Sequence, residues 1–338
     1  MVALFNKSQA NNVDEVRLHC SFLDADLAYS KISGELEYES EEIRLLIGDD
    51  TYQRVLTHYL SNDYNQPAEA NPTLIILNRL VYLIQAPVAN FAYIVFAAQN
   101  DINHTGNGRA IHVSENEKPA FEWQIDRADA SLHKKAQRQV DQLLKYLEEK
   151  RDVITEWKDS DERQAHFDLI ISDADQLERI FPIDRSRWLY LKLTPFLREF
   201  QEDVVLSTLG LDRFEALQAK LKGTTALDAD DRKLLSLIRK PMGLFAISLG
   251  LKRLSIKFWP VGLVQGYRGD TLNRKAGSVA QEGARYRLAD ELNNDVEIYL
   301  KRLEDHITAL DLAENPPTTT SSEEPCPYDP TKENFFTD

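Results

Sequence analysis

The chain has 338 residues, 43% of them hydrophobic and 28% charged, which is long enough for two domains of ordinary size, each with its own core. Its formal net charge of -15 has the wrong sign for a free-standing nucleic-acid binder, and no run of 18 apolar residues or signal-like apolar start is visible, so neither a membrane span nor secretion is expected. Cys20 and Cys326 lie near opposite ends of the chain, which suits a reducing compartment and argues against a disulfide framework or a structural zinc site.

Residues 1–15 are polar and read as an arm. Between 16 and 60, apolar positions such as Leu36, Ile43, Ile47, Val55 and Tyr59 recur at helical spacing, and Glu35, Glu37, Glu39, Glu41 and Glu42 crowd one stretch of it. That pattern predicts helices with a solvated acidic face, because carboxylates spread around a helix do not converge on a metal. A polar loop over 61–72 follows. Residues 73–99 are apolar nearly all round, the mark of a buried helix, and Pro87 is expected to kink or split it because proline has no N–H to donate and clashes with the preceding turn.

Residues 103–125 change character. Asn103 to Gly108 is turn-rich, Arg109-Ala110-Ile111-His112-Val113 alternates, and Phe121 and Trp123 come after a charged stretch. This predicts a β-hairpin or extended arm on a helical body, with Arg109, Ile111, Val113, Phe121 and Trp123 as contact residues. Ala136–Arg151 is an amphipathic helix with Val140, Leu143, Leu144 and Leu147 inward. Residues 152–185 read as a connector, in which Asp173 is an N-cap for a short helix ending near Phe181. A second helical unit is expected over 186–310. It contains a basic, glycine-rich loop over 260–277 whose Tyr267, Arg268, Arg274 and Lys275 are the best candidates for touching nucleic acid or an acidic partner. The tail, 311–338, is Pro-, Thr- and Glu-rich, with Tyr328, Phe335 and Phe336 as anchors for a neighbouring surface.

The two halves carry the same landmarks in the same order. Ile47-Gly48-Asp49 is echoed by Leu209-Gly210-Leu211, the apolar run through Pro87 by the one through Pro241, and Tyr146-Leu147 by Tyr299-Leu300. Pro87 to Tyr146 spans 59 positions and Pro241 to Tyr299 spans 58, so the fold class is mainly α, with two tandem related helical bundles, the first bearing a hairpin arm, and extended termini. None of the seven histidines has metal-ligand spacing, His104 and His112 across the hairpin being the nearest to it, and no nucleophile motif or phosphate loop is present. The expectation is therefore no catalytic residue, no metal and no cofactor.

The stretches Ile47-Gly48-Asp49, the apolar helix through Pro87, Val113-Ser114-Glu115 with Lys118-Pro119-Ala120, Leu143 to Glu148, Phe181-Pro182, Leu209-Gly210 and Tyr299-Leu300 carry a resemblance. Over roughly residues 20–308 the chain resembles a family of virion proteins from phages and prophages of Bacteroidetes, and through them the head–tail connectors of the neck. That resemblance implies a non-enzymatic structural protein of the virion, assembled in the host cytoplasm. It would form a homo-oligomeric ring between portal and tail, contact the portal protein and tail or other neck proteins, and let DNA pass nearby without specific binding. Another virion part, such as a tail-completion or minor capsid protein, and a cytoplasmic helical enzyme or regulator are the alternatives.

Overall fold

The structure, a computed structural model, describes residues 3–65, 71–101, 103–105, 108–110, 120–223, 226–254 and 279–314. It is mainly helical. The first half contains α1 (Asp14–Arg17), α2 (Ser33–Ile47), α3 (Asp49–Leu60), α4 (Pro72–Asn100), a ribbon of β1 (Asn103–Thr105) with β2 (Gly108–Ala110), and α5 (Glu122–Glu149). Three short helices follow, α6 (Thr155–Lys158), α7 (Asp161–His166) and α8 (Ala174–Glu178). The second half contains α9 (Arg187–Phe200), a π turn over Gln201–Val205, α10 (Leu206–Leu209), α11 (Leu211–Lys222), α12 (Ala229–Arg253) and α13 (Val279–Glu314).

Two hydrophobic cores form. The first runs from Ala3 to Trp157 and centres on α4 packed against α5 and α2; the second runs from Leu169 to Ile307 and centres on α12 packed against α13 and α9. Val140, Leu143, Leu144 and Leu147 all face the first core, as their i, i+3, i+4, i+7 spacing requires. The apolarity of α4 and α12 has the same cause. Both are long and apolar enough to cross a membrane by composition, contrary to the expectation from the sequence, but about 61% of each apolar window is buried against neighbouring helices.

The same turn opens both halves. Gly48 (φ +86°, ψ 148°) ends α2 and starts α3, and Gly210 (φ +78°, ψ 157°) ends α10 and starts α11. Gly48 N–H donates to Arg44 and its carbonyl accepts from Tyr52; Gly210 N–H donates to Leu206 and its carbonyl accepts from Phe214. This backbone region is closed to residues with a Cβ, which explains a glycine at both positions.

Four expectations need correction. Pro87 does not split its helix: α4 is continuous over 29 residues, and Pro241 and Pro195 likewise sit inside α12 and α9. The lost hydrogen bond costs roughly 3 kcal/mol; Pro87 and Pro241 are both buried, where their helices pack most tightly into the cores. Residues 3–15 are no free arm, since Ala3, Leu4 and Phe5 are buried and the Leu4 carbonyl accepts from the buried Gln85 amide. The connector is not one piece either. Trp157 belongs to the first core, while Ile170, Ile171 and Leu177 belong to the second, so the second unit begins near 169 rather than 186. Asp173 does cap α8, accepting from Gln176 N–H at 2.7 Å.

The fourth correction concerns the arm. Strand pairing is confined to Asn103↔Ala110, His104↔Arg109 and Thr105↔Gly108. Residues 111–119 lie outside the described residues, and Phe121 and Trp123 are not strand positions at all. Phe121 is the N-cap of α5, its N–H donating to Gln124 Oε1 at 3.1 Å, and Trp123 is in the first turn. A glutamine three residues after the cap forms half of a capping box, and this local signal prevails over the alternation read upstream.

The halves meet at a polar joint. Arg163, 2% exposed, donates Nε and Nη2 to the two carboxylate oxygens of Glu148 at 2.9 and 3.0 Å and Nη1 to the Lys222 carbonyl at 2.8 Å. Arg187 pairs with Asp141 at 2.6 Å, and Lys134 with Asp184 at 2.9 Å. Against a burial penalty that raises it, hydrogen bonds from Arg163 and Arg151 hold the Glu148 carboxyl below its ordinary range. At Asp141 burial outweighs Arg187 and pushes the carboxyl up. His166 lies within the same joint, and burial, with Arg187 next, lowers it to about 4, so it is neutral at physiological pH.

Candidate interaction surface

An apolar groove lies where the C-terminal end of α4 meets the N-terminal end of α5. Tyr93 and Ala97 come from α4, one turn apart, and Ile125, Ala128 and Leu132 come from α5 at helical spacing. Phe22, from the loop after α1, closes the side and meets Tyr93 edge-on with ring centroids 4.7 Å apart. Together they line a groove of about 390 Å³.

Large aromatic side chains are exposed in this groove and at the start of α5. Phe121 is 68% exposed, Phe22 52% and Trp123 41%. Phe22 is exposed within the groove itself, and Phe121 and Trp123 are exposed at the start of the helix that forms one of its walls. Asp101 and Asp129 form a polar rim. Burial, then Asp101 and Asp126, raises the Asp129 carboxyl above its ordinary range.

Of the contact residues expected from sequence, Phe121 and Trp123 are exposed at the start of α5, and Arg109 is on β2. Ile111, Val113, Tyr267, Arg268, Arg274, Lys275, Tyr328, Phe335 and Phe336 lie outside the described residues. Sequence reading missed Phe22 and Tyr93. Tyr93 sits in a stretch apolar on every face, so nothing in the pattern marks which face stays open, and Phe22 is in a loop with no periodicity.

A second concavity, about 530 Å³, lies at the Gly48 turn, with the carboxylates of Asp49, Asp50, Glu156, Asp159, Asp161 and Glu162 around it. Asp49 and Asp50 occupy the first turn of α3, Asp161 and Glu162 that of α7, and Ser160 caps α7 by accepting from Arg163 N–H at 3.1 Å. Acidic residues there complement helix dipoles, and Arg44 and Arg54 neutralise Asp49 and Glu156. This is a structural arrangement. Cys20 is buried, its thiol 3.7 Å from Asn90 Oδ1, and burial pushes it up to about 11, so it is a poor nucleophile.

No curated protein and no solved structure matches this chain. A model described as a family of unknown function, DUF6712, matches residues 43–166 and 204–320. The two stretches cover most of the chain, and each opens a few residues ahead of its positive-φ glycine, in phase with the two cores. The chain therefore belongs to the DUF6712 family.

Proposed function

We propose that this protein is a non-enzymatic structural component of a phage virion, a head–tail connector whose copies associate head to tail into a ring between portal and tail. The observation that carries the reading is the apolar α4–α5 groove, with Phe22 exposed in its lining and Phe121 and Trp123 exposed at the start of α5. Its occupant is a neighbouring copy of the same chain. A contact between this surface and a different face of the next copy is heterologous, and heterologous contacts close into rings when the rotation permits. The rigid pairing of two helical cores suits a building block, and the charge of -15 on every copy would keep DNA passing the channel from adhering.

Counting copies per particle in purified virions by quantitative mass spectrometry tests the reading. About a dozen copies per particle fits one closed ring; hundreds would point to a tail tube or capsid decoration; absence from the particle would overturn the structural role and favour a cytoplasmic enzyme or regulator. In parallel, Phe121→Asp with Trp123→Asp is expected to abolish self-association in analytical ultracentrifugation while leaving the unfolding transition in place.

A further inference from the structure

A third concavity, about 430 Å³, lies between α8, α12 and α13 in the second unit, and its charge is opposite to that of the protein as a whole. Arg179 from α8, Arg239 and Lys240 from α12, and Arg302 from α13 line it around Tyr299, and no carboxylate is among its described lining residues. Lys240 Nζ lies 5.5 Å and the Arg302 guanidinium 5.1 Å from the Tyr299 ring centre, so both cations are held in place by one aromatic ring. Arg239 is half-buried and anchored by Nε donating to the Ile170 carbonyl at 3.1 Å. Among the described residues, Arg179, Lys240 and Arg302 make no ion pair. The nearest countercharge acting on Arg239 is Asp173, whose oxygens are engaged by Gln176 in capping α8.

We infer that this groove is a binding site for a phosphate group. Three of the four cations gathered here make no ion pair among the described residues, and their like-charge repulsion favours a bound anion. Three of the four are arginines, whose planar forks bind the oxygens of a tetrahedral phosphate in pairs. The cleft is a half-open concavity of about 430 Å³, large enough for a phosphate ester or one backbone phosphate with its neighbours. The overall charge does not forbid this. At about 0.15 M salt, charges more than about 8 Å away are largely screened, and the local cations decide. The corresponding positions of the first unit, aligned through Pro87 with Pro241 and Tyr146 with Tyr299, are Gln85, Ala86 and Glu149, so the site belongs to one unit only.

The test uses the full-length protein. Isothermal titration with pyrophosphate and fluorescence anisotropy with a short labelled single-stranded oligonucleotide are run on the wild type, on Arg179→Gln with Arg302→Gln, and on Lys301→Gln, an exposed cation next in sequence on α13 but outside the groove. Both arginines of the double variant are exposed, so the fold should persist, as circular dichroism will check. The expected result is a loss of about ten- to a hundredfold in affinity for the double variant, from removal of two charge-assisted contacts, and little change for Lys301→Gln. Binding of pyrophosphate identifies a small phosphate ester as the source; binding of the oligonucleotide alone identifies a nucleic-acid backbone. No binding of either probe, an unchanged affinity in the double variant, or equal competition by a glutamate-rich peptide would overturn the proposal.

Discussion

The two helical units solve one packing problem with different chemistry. In each, a long apolar helix carries a buried proline, and two residues before that proline a polar side chain reaches the backbone carbonyl of a segment crossing it. In the first unit Gln85 donates to Leu4; in the second Arg239 donates to Ile170. A neutral amide can be buried almost completely when its partners are present, and Gln85 is. Arg239 stays half-buried beside Arg179, Lys240 and Arg302, so the second unit has a basic groove where the first has a sealed contact. The same backbone geometry thus yields a closed core on one side and a charged cleft on the other.

Between the units, Arg163 is the point of greatest leverage. Replacing it by alanine leaves the half-buried Glu148 with Arg151 as its remaining partner and frees the Lys222 carbonyl. Such a loss is expected to cost about 1–3 kcal/mol. Urea denaturation should show one transition in the wild type and two in Arg163→Ala as the cores uncouple. A single transition with unchanged midpoint would mean that the joint does not couple them.

The paired glycines should differ in a predictable direction. Both occupy backbone conformations closed to a Cβ, so alanine at either is expected to cost about 1–3 kcal/mol. At Gly48 the added carbon would also stand 2.7 Å from the Glu162 carboxylate, whereas nothing lies within 4 Å at Gly210. The Glu162 carboxylate ends a flexible side chain and can swing aside, so Gly48→Ala should lower the melting temperature only slightly more than Gly210→Ala, and a large gap between them would refute the equivalence of the two turns as described.

The acidic helix α2 gives a smaller, pH-dependent effect. Burial, and then Glu42, raises the Glu39 carboxyl from 4.5 to about 7. The folded state therefore holds this proton more tightly than the unfolded chain. The stability contributed by the protonated acid is fully present below about 4.5 and is lost as pH rises through about 7. Glu39→Gln should stabilise the protein at pH 8 by on the order of 1 kcal/mol and change little at pH 4. An equal effect at both pH values would place Glu39 in solvent. Smallest of all in stability terms, Phe121→Asp with Trp123→Asp should leave the melting temperature within about 2 °C, because exposed side chains contribute little to folding.

Much of the fold was legible because it depends on local rules. The inward face of α5, the Asp173 cap and the glycine turns are each written within a few residues, and the repeat follows from comparing the chain with itself. What lay beyond local rules was misjudged. The 3–15 segment looks polar, yet three apolar residues and one carbonyl suffice to seat it on α4. The connector looks uniform, yet its two ends are drawn into different cores.

The site followed the same division. Phe121 and Trp123 could be named from sequence as open aromatics, though not as helix positions, because a single capping glutamine decided that. Phe22, Tyr93 and the four cations around Tyr299 come from separate elements, and a one-dimensional pattern carries no distance between them. The amino-acid sequence by itself determined that the chain would be helical and duplicated, since periodicity and turn chemistry act over one or two turns. Only the tertiary structure decided which apolar faces stay open and where like charges gather, because burial and electrostatic fields depend on which helices come to lie side by side.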